Sequence, residues 1–183
     1  TMDQIAKRAG ASTKTLYSRF DNKSEILEAV IRRNVQRTVA DHLRAFALQP
    51  AASDPREFLF KFGMQIGVSA LTDETAGLSR LTFAEAHRFP VLARLYKEVT
   101  GRGVTAIAEA LRIWREQGKV DFDLDSAHLA ALCFDMMTCE ARARSVIGDP
   151  WTRRELEHYV ALAVDVFLRG ITADAGARRS KRK

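Results

Sequence analysis

An all-α fold is predicted: a helix-turn-helix head, a long connecting helix, and a larger helical domain behind them. Three observations predict the helical class. Apolar residues recur at three- and four-residue intervals along most of the chain, helix-capping signatures punctuate it, and the one alternating stretch has no second strand to pair with. The 183 residues suffice for a small and a medium domain, and 46% hydrophobic with 28% charged is the make-up of an ordinary globular protein. No run reaches the roughly 18 apolar residues of a membrane span, so no membrane partner is expected.

The elements follow in order. Thr1-Met2-Asp3-Gln4 is a capping box, and Ile5, Ala6 and Ala9 give the helix behind it a short apolar face. Gly10 ends that helix, because the turn asks for a residue that tolerates positive φ. Ser12 caps a second short helix through Leu16, Tyr17 and Phe20. Asn22-Lys23-Ser24-Glu25 opens a third, whose stripe of Leu27, Ile31, Val35, Val39, Leu43 and Phe46 extends to about residue 48. The domain boundaries predicted are therefore 1–48 for head and connector, 49–172 for the larger domain, and 173–183 for a basic tail.

Asp54-Pro55-Arg56-Glu57 restarts a helix with proline in its first turn. Phe60, Phe62, Met64, Ile66 and Val68 alternate as in a strand, but Glu57, Lys61 and Gln65 form one narrow polar stripe, so a largely buried helix is predicted. Leu78 to Arg88 reads as a short helix, broken at Phe89-Pro90. Pro90 opens a long one bearing Leu92, Leu95, Val99, Ala106, Ala110 and Trp114, with Gly101 and Gly103 weakening its middle. Asp125 caps a helix striped by Leu129, Leu132, Cys133, Met136 and Met137. Thr152-Arg153-Arg154-Glu155 opens the last, with Leu156, Tyr159, Val160, Ala163, Val164 and Phe167.

Charge is uneven along this framework. The total is +6. Residues 1–24 set Lys7, Arg8, Lys14, Arg19 and Lys23 against Asp3 and Asp21, and Arg178, Arg179, Lys181, Arg182 and Lys183 crowd the tail. The body between is slightly acidic. Basic ends suit a polyanionic partner, although a disordered tail that only solubilises accounts for the last cluster more simply. Cys133 and Cys139, six apart on one helix, face apart and do not bridge. Unpaired thiols with no visible export signal point to a reducing, cytoplasmic setting.

Two short helices around a glycine-bearing turn make a helix-turn-helix, whose second helix enters the major groove by its N-terminal residues. Those residues are Ser12, Thr13, Lys14 and Thr15, small, polar or basic as the task needs. The stretch Met2 to Leu27 closely resembles the DNA-binding signature of the TetR family of regulators. Its Ile5-Ala6, Ala9-Gly10, Ser12, Thr15-Leu16-Tyr17, Phe20, Asn22-Lys23 and Ile26-Leu27 stand in register with it. The segment Leu81 to Pro90 (LTFAEAHRFP) resembles the AefR-like branch of the family's ligand domain.

The resemblance implies a transcriptional repressor that binds double-stranded operator DNA as a homodimer and is released by a small-molecule effector, apolar or amphipathic. Thr1, Tyr17 and Lys23 would hold phosphates, Thr13, Lys14 and Thr15 would approach base edges, and Ser12 would cap. Family members carry a helix ahead of this motif. Without one, Ile5, Leu16 and Phe20 are expected to be partly uncovered, and residues preceding Thr1 are inferred.

For pairing, the last two helices are the candidates, through Tyr159, Ala163 and Phe167, a stripe that could equally close the monomer's own core. For the effector, Phe62, Ile66, Phe83, Trp114 and Met137 are candidate walls, each open to a plain core role. Gly63 and Gly67 clear one helix face for a neighbouring helix or a ligand. Glu140 is placed on the apolar side of its helix, needing Arg144 or an effector group as partner. No catalytic motif is seen, and His42, His87, His128 and His158 do not cluster at metal-ligand spacing, so neither enzyme, metal nor cofactor is expected. The rival reading is a dimeric small-molecule-binding helical protein without DNA function.

Overall fold

A computed structural model describes residues 1–33, 50–52 and 54–172. All the regular structure in these residues is helical. Helix α1 (Met2–Arg8) and α2 (Thr13–Tyr17) form the head. A third, α3, is helical over residues 23–33. After a 3-10 turn (Pro50–Ala52) come α4 (Pro55–Ala70), α5 (Asp73–Glu85), α6 (Pro90–Glu116), α7 (Ser126–Ile147) and α8 (Arg153–Thr172). Val35, Val39, Leu43 and Phe46, the far half of the connecting stripe, lie outside the described residues, as do His42 and the basic tail.

Local chemistry starts and stops these helices where the sequence placed the signals. Asp54, Asp125 and Thr152 each accept backbone N–H groups of the first turn that follows them, filling orphan donors. Thr72, which the sequence reading passed over, caps α5 in the same way, so that helix begins well before Leu78. Pro55 and Pro90 sit in first turns, where a missing N–H costs nothing. Gly148 closes α7 in the left-handed region at φ 87°.

The main core lies among α4, α6, α7 and α8. Phe58, Leu59 and Phe62 of α4 meet Ile107, Leu111 and Trp114 of α6, Cys133, Phe134 and Met137 of α7, and Leu156, Val160, Val164 and Phe167 of α8. The alternating stretch is thus helical, with Phe58, Leu59, Phe62, Gly63 and Gly67 on its buried face. Gly63 and Gly67 give their space to a neighbouring helix. A methyl group on Gly63 would come within 2.8 Å of Val160 Cγ1, and one on Gly67 within 2.7 Å of Leu156 Cδ1. Gly101 and Gly103 do not interrupt α6. Gly103 faces the Phe134 ring and Gly101 faces open space.

A second, smaller cluster joins head and body. Ile31 of α3 is buried with Leu92 and Leu95 of α6, and Leu27, Leu78, Leu81, Ala86, Phe89 and Val91 pack around them. Burying a side chain such as Ile31 stabilises by about 1.5–3 kcal/mol. The described part of α3 is therefore seated on α5 and the start of α6 by apolar packing.

Candidate DNA-reading head and sensor domain

The head is built from two capped helices. Thr1 Oγ1 accepts from Gln4 N at 3.3 Å while its own backbone nitrogen donates to Gln4 Oε1 at 2.8 Å, closing the capping box. Met2 and Ala6 are its buried contacts. Gly10 then turns the chain at φ 63°, and Ser12 Oγ accepts from Thr15 N at 3.0 Å to start α2. No residue of α2 is buried. Ile5, Leu16 and Phe20 remain half-buried, as the two-helix arrangement predicts.

Ser12, Lys14, Thr15, Tyr17 and Lys23 are all exposed, and so is Thr1. Thr13 is half-buried because its hydroxyl donates to Asp3 Oδ1 at 3.2 Å, an α1–α2 bond that the sequence reading missed. That bond commits the Thr13 hydrogen, leaving lone pairs to face outward. Asn22 Oδ1 accepts from Ser24 N and Glu25 N at 2.9 and 3.1 Å, opening α3 and fixing Lys23 at its first turn. Chemically the face is a row of hydroxyls flanked by cations, suited to phosphate oxygens and base edges.

In the larger domain the expected walls divide. Phe62, Trp114 and Met137 are fully enclosed, with Phe58 edge-on to Trp114 at 5.3 Å and Phe62 edge-on to Phe134 at 6.4 Å. The Trp114 indole donates to Pro50 O at 2.8 Å, so its polar atom is satisfied. Ile66 is half-buried against the same core.

Phe83 is 52% exposed and edge-on to Tyr96, because α5 buries Ala76 and Thr82 instead. One placement is corrected. Glu140 is exposed rather than buried. Its face of α7 points away from Met137, Thr138 and Ala141, and it needs no buried partner, though Arg144 stands 4.0 Å away.

Of the pairing stripe, Ala163 and Phe167 are buried within the chain's own core. Tyr159 is half-buried at the α7–α8 seam. Burial pushes its phenol above the ordinary value, and the negative charges of Glu140 and Cys139 add to this. The apolar groups left outside α8 are Leu162 and Val166, and those outside α7 are Leu132 and Ile147, with the exposed Cys139 between them. Leu132, expected on the inner stripe, lies outside it, one residue out of phase with the buried Cys133. An apolar pair four apart on the polar side of α8 was the signal available for Leu162 and Val166.

Among the described residues, no group of three or more His, Cys, Asp or Glu is placed to hold a metal ion. No described helix is long and apolar enough to cross a membrane. A shallow groove between α4 and α8, lined by Arg56, Phe60, Arg154, Glu157, His158 and Ala161, is open to solvent, and its Arg56 is tied to Asp165 at 2.7 Å.

A capped two-helix head with an exposed hydroxyl-and-cation face, seated by a connecting helix on a helical body, defines a helix-turn-helix transcription regulator. Residues 57–170 match the C-terminal domain of AefR-like transcriptional repressors, and residues 1–30 match the bacterial regulatory proteins of the TetR family. The chain belongs to the TetR family. It is similar in structure to a TetR-family regulator from Mesorhizobium loti at TM-score 0.81 and 22% identity, covering 94% of this chain and 86% of that one. A TetR transcription regulator from Haloarcula marismortui aligns at TM-score 0.72 and 17% identity over 93% and 86%. The flavonoid-responsive regulator FrrA aligns at 0.69 and 25% over 96% and 88%. No curated protein matches in sequence.

Proposed function

We propose that the chain represses transcription by holding two-fold operator DNA as a homodimer, and that a small-molecule effector releases it. The observation that carries this reading is the Ile31 cluster. It fastens the helix behind the DNA-reading head to α5 and α6 of the sensor domain, so a shift of those helices moves the head. An effector that binds better to the displaced arrangement lowers operator affinity by that preference and no more.

Thr13, Lys14 and Thr15 are the proposed base readers, with Ser12 as their cap, and Thr1, Tyr17 and Lys23 the phosphate contacts. Because Thr13 donates to Asp3, it would meet a base as an acceptor, selecting the N6 amino group of adenine or the N4 amino group of cytosine. Dimerisation is proposed through the outer faces of α7 and α8, with Tyr159, Leu162, Val166, Leu132 and Cys139. One small head reads few bases, and pairing doubles the site. Ile66, beside the packed Phe62, Trp114 and Met137, belongs to the effector region on this reading. FrrA's responsiveness to flavonoids supports a planar aromatic effector here. A cytoplasmic location follows from the role.

Selecting bound duplexes from a randomised pool tests the reading. The expected product is a two-fold symmetric sequence. Lys23→Ala should then weaken selected and scrambled duplexes alike with a shallower salt slope, while Thr13→Ala should alter preference at one position per half-site. A pool that shows no enrichment after repeated rounds would refute DNA-specific regulation and leave the ligand-binding dimer without DNA function.

A further inference from the structure

Arg142 is held by hydroxyl groups where several arginines of this domain have a carboxylate. Arg56, Arg88, Arg102, Arg112 and Arg144 each stand within ion-pair distance of a carboxylate. Arg142, half-buried on α7, has two hydroxyls instead: Nη1 donates to Tyr96 Oη at 2.6 Å and Nη2 to Thr138 Oγ1 at 3.5 Å. Thr138 is buried, and its own hydroxyl donates to Phe134 O at 2.8 Å, which aims its lone pairs at the guanidinium. A guanidinium carries five N–H donors in a planar fork. Among the described residues its partners are these two neutral acceptors, which leave part of that fork open, and no carboxylate there offsets the half-buried charge.

The surroundings are aromatic. The Arg142 guanidinium carbon lies 5.5 Å from the Tyr96 ring centroid, and Phe83 stands edge-on to that ring at 5.4 Å with half its surface free. Arg80 of α5 donates to Ser145 O and Val146 O, one turn further along α7, at 3.2 and 3.3 Å. A fork with donors to spare beside an exposed ring suits a small molecule with a planar apolar body bearing a carboxylate.

We propose that Arg142, Tyr96 and Phe83 form the recognition site for an aromatic carboxylate effector. Arg142 takes the carboxylate bidentately, Tyr96 holds the guanidinium in place, and Phe83 covers the ring. This deepens the effector-release reading and rests on it. Phe83 and Tyr96 stand on α5 and α6, the two helices whose Leu78, Leu81, Leu92 and Leu95 hold Ile31. Occupancy of the site therefore bears on the seat of the connecting helix.

The test uses calorimetric titration of the whole chain with benzoate, trans-cinnamate and naphthalene-2-carboxylate, each beside its neutral carboxamide. The acids are expected to bind at least ten-fold more tightly than the amides, naphthalene-2-carboxylate most tightly of the three. Arg142→Gln should abolish the acid-over-amide preference and Arg142→Lys should restore part of it. Phe83→Ala, at an exposed position that leaves folding intact, should weaken the naphthyl acid several-fold while keeping the preference. A purely structural Arg142 would leave the ratio of acid to amide affinity near one in the wild type. That result, failure of all three acids to bind at millimolar concentration, or a preference that survives Arg142→Gln would each overturn the proposal. Operator binding is measured in parallel without ligand. If it is present and the acids fail, only the effector class falls; if it is absent, the regulator reading itself falls.

Discussion

Two glycines on one helix should respond oppositely to the same substitution. At Gly103 a new Cβ would lie 2.5 Å from Phe134 Cε2 and 3.1 Å from Cδ2. Phe134 is buried and edge-on to Phe62, so its ring cannot swing aside without disturbing a second buried ring. Overpacking of this kind costs about 1–3 kcal/mol, while replacing a helix-interior glycine by alanine returns roughly 0.5–1 kcal/mol. Gly103→Ala should therefore be destabilising by about 1–2 kcal/mol. Gly101, two residues away, has nothing within 4 Å; there alanine keeps only the helix gain of about 0.5–1 kcal/mol. For a chain of this size 1 kcal/mol moves Tm by roughly 2–4 °C, so Gly101→Ala should melt a few degrees above wild type and Gly103→Ala several degrees below. Circular dichroism melts at one fixed protein concentration would measure both, since self-association of any kind makes Tm concentration-dependent. A Gly103→Ala protein as stable as Gly101→Ala would refute the α6–α7 packing that also positions Tyr96 against Arg142.

Other perturbations separate the head from the body. Ser12→Ala removes the acceptor of Thr15 N, a cap worth about 1 kcal/mol, so DNA affinity in an anisotropy titration should fall roughly five-fold while the sensor domain melts unchanged. Ser12→Asp keeps a cap yet places a negative charge at the phosphate-facing end, so it should bind DNA more weakly than Ser12→Ala; stronger binding would contradict the docking face. Leu162→Glu should convert a dimer to monomer in sedimentation and should speed alkylation of Cys139. Cys133 should stay unreactive throughout, because burial without a charged partner pushes its thiol far up. An unchanged sedimentation coefficient would move the dimer interface off the outer faces of α7 and α8.

The parts of this molecule set by local chemistry were readable from the residues. Caps at Thr1, Ser12, Asp54, Asp125 and Thr152, and the turn at Gly10, are short-range and appear where the sequence signalled them. The helical nature of α4 was also readable, because the polar stripe of Glu57, Lys61 and Gln65 outweighs an accidental alternation. The facing of residues within the body was harder. α7 and α8 are apolar on more than one side, so a stripe such as Tyr159, Ala163 and Phe167 does not reveal which face meets the monomer's own core. Glu140 falls outside for the same reason: Met136, four residues before it, lies at the edge of the buried arc. Phe83 turned outward because α5 is only lightly buried, a property fixed by its neighbours. Arg142 and Tyr96, 46 residues apart, and Thr13 and Asp3, on separate helices, meet only after folding, and no spacing rule announces such pairs.

The most direct test of the account is a salt-resolved titration of the whole chain against a selected two-fold duplex and a scrambled one of equal length. The account predicts dimer binding to the selected duplex at least ~10³-fold tighter than to the scrambled one. Both affinities should fall linearly on a log–log plot as salt rises, as phosphate-bound counterions demand. Equal affinity for the two duplexes at every salt concentration would contradict it, since the head would then be a basic surface that holds phosphates and reads no sequence.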